Sequence, residues 1–141
     1  MRSGRPRRFD LETALDRALL VFWSRGYEGA TLPELTAAMG INRPSLYAAF
    51  GSKEELFRRS VARYLEGPGG YVRDALAHPD GRTAIRTLLE ETVAMLKHPR
   101  NPGGCLLVQA GLVCSAEAEW VKKELAAMRR KGVELIRERL E

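Results

Sequence analysis

Residues 31–57 read TLPELTAAMGINRPSLYAAFGSKEELF, and this stretch decides the fold predicted for the chain. Thr31, with Glu34 three residues later, is typical of a helix start, and Gly40 is typical of a helix end. A second short helix is predicted over 43–50, two or three residues after that glycine. Two short helices joined by a tight, glycine-containing turn are the sequence form of a helix-turn-helix.

The second of these helices has few long side chains on its surface. A helix that enters the major groove of DNA must let base edges come close, and the small residues Ser45 and Ala48 permit that approach. Pro44 near the helix start costs nothing, because the N–H groups of the first turn have no partner within the helix. The Tyr47 hydroxyl can hydrogen-bond a phosphate while its ring packs on a sugar. The stretch therefore predicts a helix that reads DNA.

The rest of the chain shows helical periodicity and no convincing strand, so we predict an all-α fold. The other predicted helices lie at about 10–25, 52–65, 71–77, 82–97 and 116–140. The segment 105–114 is almost wholly apolar, and we expect it to form a buried helix. The breaker cluster GPGG at 67–70 separates a predicted DNA-binding module, residues 1–66, from a predicted regulatory region, residues 67–141.

The composition bounds the class of protein. The chain has 141 residues, of which 45% are hydrophobic and 29% charged, as in ordinary globular domains. No apolar run approaches the roughly 20 residues of a membrane helix, and no secretory signal follows the basic N-terminus. Two cysteines, Cys105 and Cys114, are too few for a disulfide framework, so a reducing cytoplasm fits best. We interpret them as buried small hydrophobic residues, with a redox sensor as the alternative.

The first eight residues carry most of the net charge. They hold Arg2, Arg5, Arg7 and Arg8 and no acid, which is +4 of the total +5. One interpretation is a solvated tail or part of an expression tag. The other is a flexible arm that contacts nucleic acid phosphates or a narrow minor groove.

No catalytic constellation is present in the sequence. It contains no glycine-rich phosphate loop, no nucleophile elbow and no HExxH pattern. His78 and His98 share no metal-ligand spacing with each other or with a cysteine. We therefore predict no enzyme activity, no metal and no cofactor.

Residues 31–57 resemble the DNA-binding signature of TetR-like (AcrR-type) bacterial transcriptional regulators. The family pattern has a threonine opening the second helix, a glycine in the turn, LY followed by F, and then K-E-x-L-F. The matching residues are Thr31, Gly40, Leu46, Tyr47, Phe50, Lys53, Glu54, Leu56 and Phe57. The resemblance covers about the first 65 residues closely, and the remainder only as an all-helical regulatory region.

The resemblance implies roles toward double-stranded DNA. It assigns phosphate contacts to Thr31, Tyr47 and Lys53, and the interpretation of the basic N-terminus as an arm adds Arg5, Arg7 and Arg8. The residues that would face base edges are Arg43, Pro44, Ser45 and Ala48. Arg43 is the one able to make a bidentate contact to guanine. The alternatives are a solvated lysine at position 53, a packing tyrosine at position 47, and a phosphate contact for Arg43.

The resemblance also implies that the C-terminal half binds a small ligand and dimerises. The candidate pocket residues are Tyr71, Met95, Leu96, Leu107, Gln109, Val113 and Trp120. Apolar residues at helical spacing are otherwise core, whereas an amide in an apolar helix, such as that of Gln109, needs a partner. We expect a repressor that responds to a small hydrophobic ligand and binds a palindromic operator as a homodimer. The alternative is a DNA-binding regulator without a ligand, or an adaptor controlled by a protein partner.

The end of the sequence bears on the dimer. Family members usually continue through two further helices that form the dimer interface, whereas this sequence ends within a helical pattern. Either the sequence is truncated or the protein is an unusually short member. We expect these 141 residues alone to form a monomer or a weak dimer.

Overall fold

The computed structural model describes the backbone of residues 8–141 and the side chains of residues 10–141. Within these residues the regular elements are helices, and no strand is present, which confirms the predicted all-α fold. The helices are α1 (Arg8–Gly29), α2 (Leu32–Met39), α3 (Arg43–Phe50), α4 (Lys53–Glu66), α5 (Tyr71–Leu76), α6 (Gly81–Lys97), α7 (Leu106–Gln109) and α8 (Glu119–Leu140), with a 3₁₀ turn at Ala116–Ala118.

Helices α1 and α4 form the centre of the core. Trp23 of α1 and Phe57 of α4 are both 1% exposed. Phe57 meets Phe22 edge to face with 5.1 Å between ring centroids, and Tyr64 meets Trp23 in the same way at 4.9 Å. Such aromatic pairs stabilise a core beyond the area that they bury. The α1–α4 pair thus supplies a rigid support for the two short helices α2 and α3.

Helix α1 changes direction at Gly26. The φ of this residue is 76°, in the left-handed region that favours glycine. Beyond the break, the backbone N–H of Tyr27 donates to the carbonyl of Ala110 at 3.1 Å. One turn earlier, the indole N–H of Trp23 donates to the carbonyl of Gly104, also at 3.1 Å. The end of α1 is therefore bonded to a segment about 80 residues later in the chain.

The prediction of one buried helix over 105–114 is wrong. Only Leu106–Gln109 is helical, and Leu106 and Ala110 are the buried residues of the segment. Leu112 and Val113 are instead 67% and 83% exposed. A run that is apolar on every side has no single buried face. Here only the side that meets α1, α4 and α8 is covered.

The C-terminal region is built from α5, α6 and α8. Asp80 caps α6 by accepting a hydrogen bond from the N–H of Thr83 at 2.9 Å. The Arg139 guanidinium near the end of α8 donates to the carbonyl of His78 at 2.9 Å, which ties α8 to the turn between α5 and α6. Within the described residues, no helix combines the length and the apolar character needed to cross a bilayer.

Candidate nucleic-acid interface

Side chains fix the starts of the three helices around the helix-turn-helix. Thr31 accepts a hydrogen bond from the N–H of Glu34 at 3.3 Å at the start of α2. Asn42 accepts from the N–H of Ser45 at 2.8 Å at the start of α3. Ser52 does the same for α4, accepting from the N–H of residue 55 at 3.0 Å. These caps satisfy first-turn N–H groups and set where each helix begins.

Thr31 and Glu34 have the spacing of a capping box, in which each side chain bonds the other residue's backbone N–H, and this box forms only in part. Its threonine half is present, but the Glu34 carboxylate lies 3.9 Å from the Arg25 guanidinium. This ion pair joins α2 to α1, so Glu34 contributes to packing between the helices instead of closing the box.

The turn between α2 and α3 is set by Gly40. Its φ of 70° and ψ of 27° place it in the left-handed conformation that ends helices. The N–H groups of Gly40 and Ile41 both donate to the carbonyl of Thr36, at 3.0 and 3.2 Å. The chain is thereby redirected into α3 within three residues, as the sequence pattern predicts.

Helix α3 has one buried face and one exposed face. Leu46 is completely buried and Phe50 is 4% exposed. Arg43, Pro44 and Ala48 are exposed on the outer surface. Of the residues predicted to face base edges, Ser45 is the exception, because it is half-buried and its N–H is bonded to the Asn42 cap.

The predicted phosphate contacts lie around this exposed face. Thr31 is exposed at the start of α2, and its hydroxyl oxygen accepts the cap bond, so its hydroxyl hydrogen remains available to donate. Tyr47 is 41% exposed on α3. Lys53 begins α4, and Arg5 and Arg7 lie outside the described residues. The helix position of Arg8 is described, but its side chain lies outside the described residues.

Lys53 is held more closely than its position at a helix start suggests. Its ammonium group lies 4.6 Å from the centroid of the Tyr27 ring, in the geometry of a cation–π contact. Partial burial lowers the pKa of Lys53, and the Glu28 carboxylate acts in the opposite direction. The sequence offers no signal for this contact, because Tyr27 lies near the end of α1 and Lys53 begins α4, 26 residues later.

Sequence reasoning also missed the ion pair between Arg58 and Glu124. The Arg58 guanidinium donates to the Glu124 carboxylate through Nη2 at 2.9 Å and Nε at 3.1 Å. It also lies 4.4 Å from the centroid of the Trp120 ring. These hydrogen bonds raise the pKa of Arg58. The contact joins α4 to α8 across 66 residues, too far for a local pattern to reveal.

The seven residues predicted to line a ligand pocket are not brought together. Tyr71 and Met95 line one cleft of about 500 Å³ between the end of α4, α5 and α6. Trp120 instead packs edge to face against Tyr27 at 5.1 Å, under the DNA-binding helices. The remaining four lie elsewhere: Leu96, Gln109 and Val113 are exposed, and Leu107 packs against the core.

Gln109 and the two cysteines lie in environments that differ from those predicted. Gln109 is exposed, so its amide can be satisfied by water and needs no ligand. Cys105 and Cys114 are unpaired and half-buried, not fully buried. The Tyr64 hydroxyl donates to the Cys105 sulfur at 3.4 Å, and burial raises the pKa of the Cys114 thiol.

This arrangement defines a helix-turn-helix protein of the transcriptional regulator class. The sequence pattern of the family described as "Bacterial regulatory proteins, tetR family" matches residues 14–59, which run from α1 into α4. In the solved complex of the TetR family regulator CifR with 26-bp operator DNA, the protein is 52% identical, with a TM-score of 0.89. The match covers 96% of this chain and 72% of that one. The chain belongs to the TetR family of bacterial transcriptional regulators.

Two curated relatives agree with this assignment. One is the uncharacterized HTH-type transcriptional regulator YezE of Bacillus subtilis, 37% identical over 110 residues, which are 77% of this chain and 57% of that protein. The other is the HTH-type transcriptional repressor BdcR of Escherichia coli, 37% identical over 110 residues, which are 75% of this chain and 54% of that protein. The chain thus spans a little over half the length of these relatives. Family membership also confirms the prediction that the chain is not an enzyme.

Proposed function

We propose that this chain binds double-stranded DNA sequence-specifically by placing α3 in the major groove. The observation that carries the proposal is the division of α3 into two faces. Leu46 and Phe50 anchor it to the core, while Arg43, Pro44 and Ala48 point away from the rest of the described chain. A major groove about 12 Å wide admits such a helix, and small outward side chains let base edges approach.

Within this proposal, Arg43 reads a base and the surrounding residues position the helix. Arg43 is exposed at the start of α3, where its guanidinium can form two hydrogen bonds to a guanine. Thr31, Tyr47 and Lys53 donate to phosphates on either side. Phosphate contacts fix the register of a protein on DNA but carry no sequence information themselves. The basic arm, with Arg5, Arg7 and Arg8, adds sequence-independent attraction.

We also propose that the protein acts as a repressor and binds a palindromic operator as a homodimer. One short recognition helix contacts too few base pairs for a unique address, and two-fold half-sites about 34–36 Å apart solve that problem. CifR, whose structure contains operator DNA, and BdcR, a repressor, support this proposal by similarity. In α8, Val121 and Leu125 are buried in the core, so the surface for a partner copy lies beyond them, where Val133 and Leu140 are exposed.

Control by a small ligand is the second part of the proposal, with control by a protein partner as its rival. The cleft at Tyr71 and Met95 is large enough for a small molecule, and its rim carries Glu66, Asp74 and Glu91. A hydrophobic ligand with a polar or cationic group suits this lining better than a purely apolar one. The rival is favoured by exposed Leu112 and Val113, which a partner protein would cover.

Selection from a random pool of DNA duplexes tests the DNA-binding proposal. We expect the 141-residue chain to enrich one core motif, and enrichment of the wild-type motif to disappear with Arg43→Ala. Arg86→Ala, at an exposed position on α6, is the matched control and should leave the motif unchanged. If the chain retained no duplex above background at low salt, the proposed function would be wrong.

Two further measurements test dimer formation and ligand control separately. Sedimentation with and without the enriched duplex reports whether two copies assemble on one palindrome. Thermal unfolding across a panel of amphipathic small molecules tests the ligand, because a molecule that binds only the native state raises the midpoint. A panel without effect, together with DNA release by a purified protein partner, would favour the rival.

A further inference from the structure

A carboxylate acts electrostatically on the lysine that we assign to a DNA phosphate. Lys53 rests on the Tyr27 ring, and Glu28 is the next residue along the chain. Among the residues that the structure describes, no ion pair within 4.0 Å includes Lys53. Glu28 thus adjoins the residue on which Lys53 rests, but it forms no ion pair with Lys53 among the described residues.

The Glu28 carboxylate is instead hydrogen-bonded to Ser115, a residue of the C-terminal region. One carboxylate oxygen accepts a hydrogen bond from the backbone N–H of Ser115 at 2.8 Å. The other accepts a hydrogen bond from the Ser115 hydroxyl. These two bonds are the main reason why the pKa of Glu28 is lowered, and Lys53 and Lys122 lower it further. Ser115 therefore holds both oxygens of the carboxylate that acts to raise the pKa of Lys53.

We propose that Glu28 and Ser115 are positioning residues for the DNA contact of Lys53. With the Ser115 bonds formed, the Glu28 carboxylate is held away and the Lys53 ammonium can bind a phosphate. With these bonds broken, Glu28 pairs with Lys53 and competes with the DNA. The inference rests on the proposed phosphate contact of Lys53 and deepens it, because it links that contact to the C-terminal region.

The link lies where the two regions already meet. Tyr27, on which Lys53 rests, donates its backbone N–H to Ala110, five residues before Ser115. Its ring packs against Trp120, five residues after Ser115. Displacement of the 110–120 segment, whether by a ligand or by a partner protein, would therefore release Glu28 without any movement of α3. The predicted result is weaker binding to every DNA sequence with an unchanged preferred motif.

Variants at Ser115 can break the two bonds in steps. Ser115→Ala removes the hydroxyl donor only. Ser115→Pro removes the N–H as well, and the φ of −69° at this position is one that proline adopts. Glu28→Gln removes the competing charge. Ser24→Ala is the matched control, because Ser24 is also an exposed serine whose hydroxyl is bonded, here to the carbonyl of Leu20.

The first readout is DNA affinity as a function of salt, measured with a mixed-sequence duplex and with the enriched duplex. We expect Ser115→Pro to lower affinity for both duplexes by on the order of tenfold. It should also reduce the slope of log affinity against log salt by about 0.9, the value of one phosphate contact. Ser115→Ala should show a smaller loss. Glu28→Gln added to Ser115→Pro should restore both affinity and slope, and Ser24→Ala should change neither.

The second readout does not depend on DNA. Acetylation of Lys53 by a limiting reagent, measured by mass spectrometry, reports how strongly its ammonium is paired. Labelling should fall in Ser115→Ala and Ser115→Pro and return when Glu28→Gln is added. This measurement on Ser115→Ala decides the matter even if the proline variant does not fold.

The outcomes distinguish the inference from the function on which it rests. If Lys53→Gln left the salt slope unchanged, the phosphate contact would be wrong, and the inference would fall with it. If Lys53→Gln lowered the slope but labelling were the same in Ser115→Ala and wild type, only the inference would be overturned. It would be overturned in the same way if affinity fell in Ser115→Pro and Glu28→Gln did not restore it, since the loss would then be structural.

Discussion

The two halves of the molecule bury their apolar side chains to different extents. In residues 10–66 the large apolar side chains that remain exposed are Leu20, Tyr47 and Leu65. In residues 67–141 they are Leu89, Val93, Leu96, Val108, Leu112, Val113, Val133, Leu135 and Leu140. The first half thus leaves few large apolar side chains uncovered, whereas the second presents an apolar surface of the kind that marks interaction sites.

The difference has a physical cause in how the helices pack. The helices α1 and α4 bring aromatic rings from both sides into one layer, and Phe57 contacts both Phe22 and Tyr27 at 5.1 Å. Helix α6 in the second half buries Ala84, Leu88 and Met95 but leaves Leu89, Val93 and Leu96 outside. The apolar residues of α6 occupy a wider face of the helix than its neighbours cover. The second half therefore has an apolar surface that a partner could cover, and the first half has little of one.

The largest expected effect is the loss of an aromatic ring where the halves meet. Phe57→Ala should lower the free energy of unfolding by about 3–5 kcal/mol, because it removes a fully buried aromatic side chain. Val113→Ala, at an 83% exposed site, should change it by no more than about 0.5 kcal/mol. Urea unfolding followed by circular dichroism gives both values. Equal losses would mean that the two halves are equally well packed.

Specificity should reside entirely in the first half. Arg43→Ala should cost about 1–3 kcal/mol of discrimination at one base position, because one bidentate contact to guanine is lost. Competition binding with single-base variants of the enriched duplex measures this cost. Equal weakening on specific and random duplexes would assign Arg43 to a phosphate instead.

The arm should contribute affinity without specificity. Deletion of residues 1–7 removes Arg2, Arg5 and Arg7 and leaves α1, which begins at Arg8, in place. The salt slope of DNA binding should fall by up to about 0.9 for each phosphate that these arginines neutralise. A titration at several salt concentrations checks this, with Lys97→Ala, at an exposed position near the end of α6, as the control. A changed core motif after deletion would contradict the interpretation of these residues as an arm.

The smallest expected effect lies in the second half, at the cap of α6. The pKa of Asp80 is lowered by its hydrogen bonds to Thr83, so its contribution to stability is present above its unfolded pKa and lost as the pH falls through the folded pKa. Asp80→Asn keeps a capping oxygen but has no charge to lose. The difference in unfolding midpoint between wild type and this variant should therefore be present at neutral pH and disappear in acid. A difference that did not change with pH would show that the charge does not matter there.

How much the sequence could predict also differs between the halves. The helix-turn-helix was predictable because its determinants are local: Thr31, Asn42 and Ser52 each accept a bond from an N–H three residues later. Gly40 ends α2 through its own conformation. The order of capping residues and glycines thus encodes the geometry directly.

The contacts between the halves could not be predicted from local sequence patterns. Glu28 and Ser115 are 87 residues apart, and neither side chain has a local feature that identifies its partner. The prediction of a buried helix over 105–114 was wrong for a related reason. The apolar residues of this segment suggested burial. How much of the segment is covered depends on the packing of α1 and α8 against it, and sequence periodicity does not report that packing. The grouping of Gln109 and Trp120 into one pocket rested on that expectation, whereas Gln109 is exposed and Trp120 packs against Tyr27.

The bonds that end α1 have a consequence for biosynthesis. The acceptors for the Trp23 indole and the Tyr27 amide are Gly104 and Ala110, which leave the ribosome long after the helix-turn-helix has emerged. Domains fold from the N-terminus as they are made, so the nascent DNA-binding half first exists with these two donors bonded to water. It gains these two hydrogen bonds only after Gly104 and Ala110 have been synthesised. A regulator assembled in this order completes the support of its DNA-reading surface only when this later segment has been made.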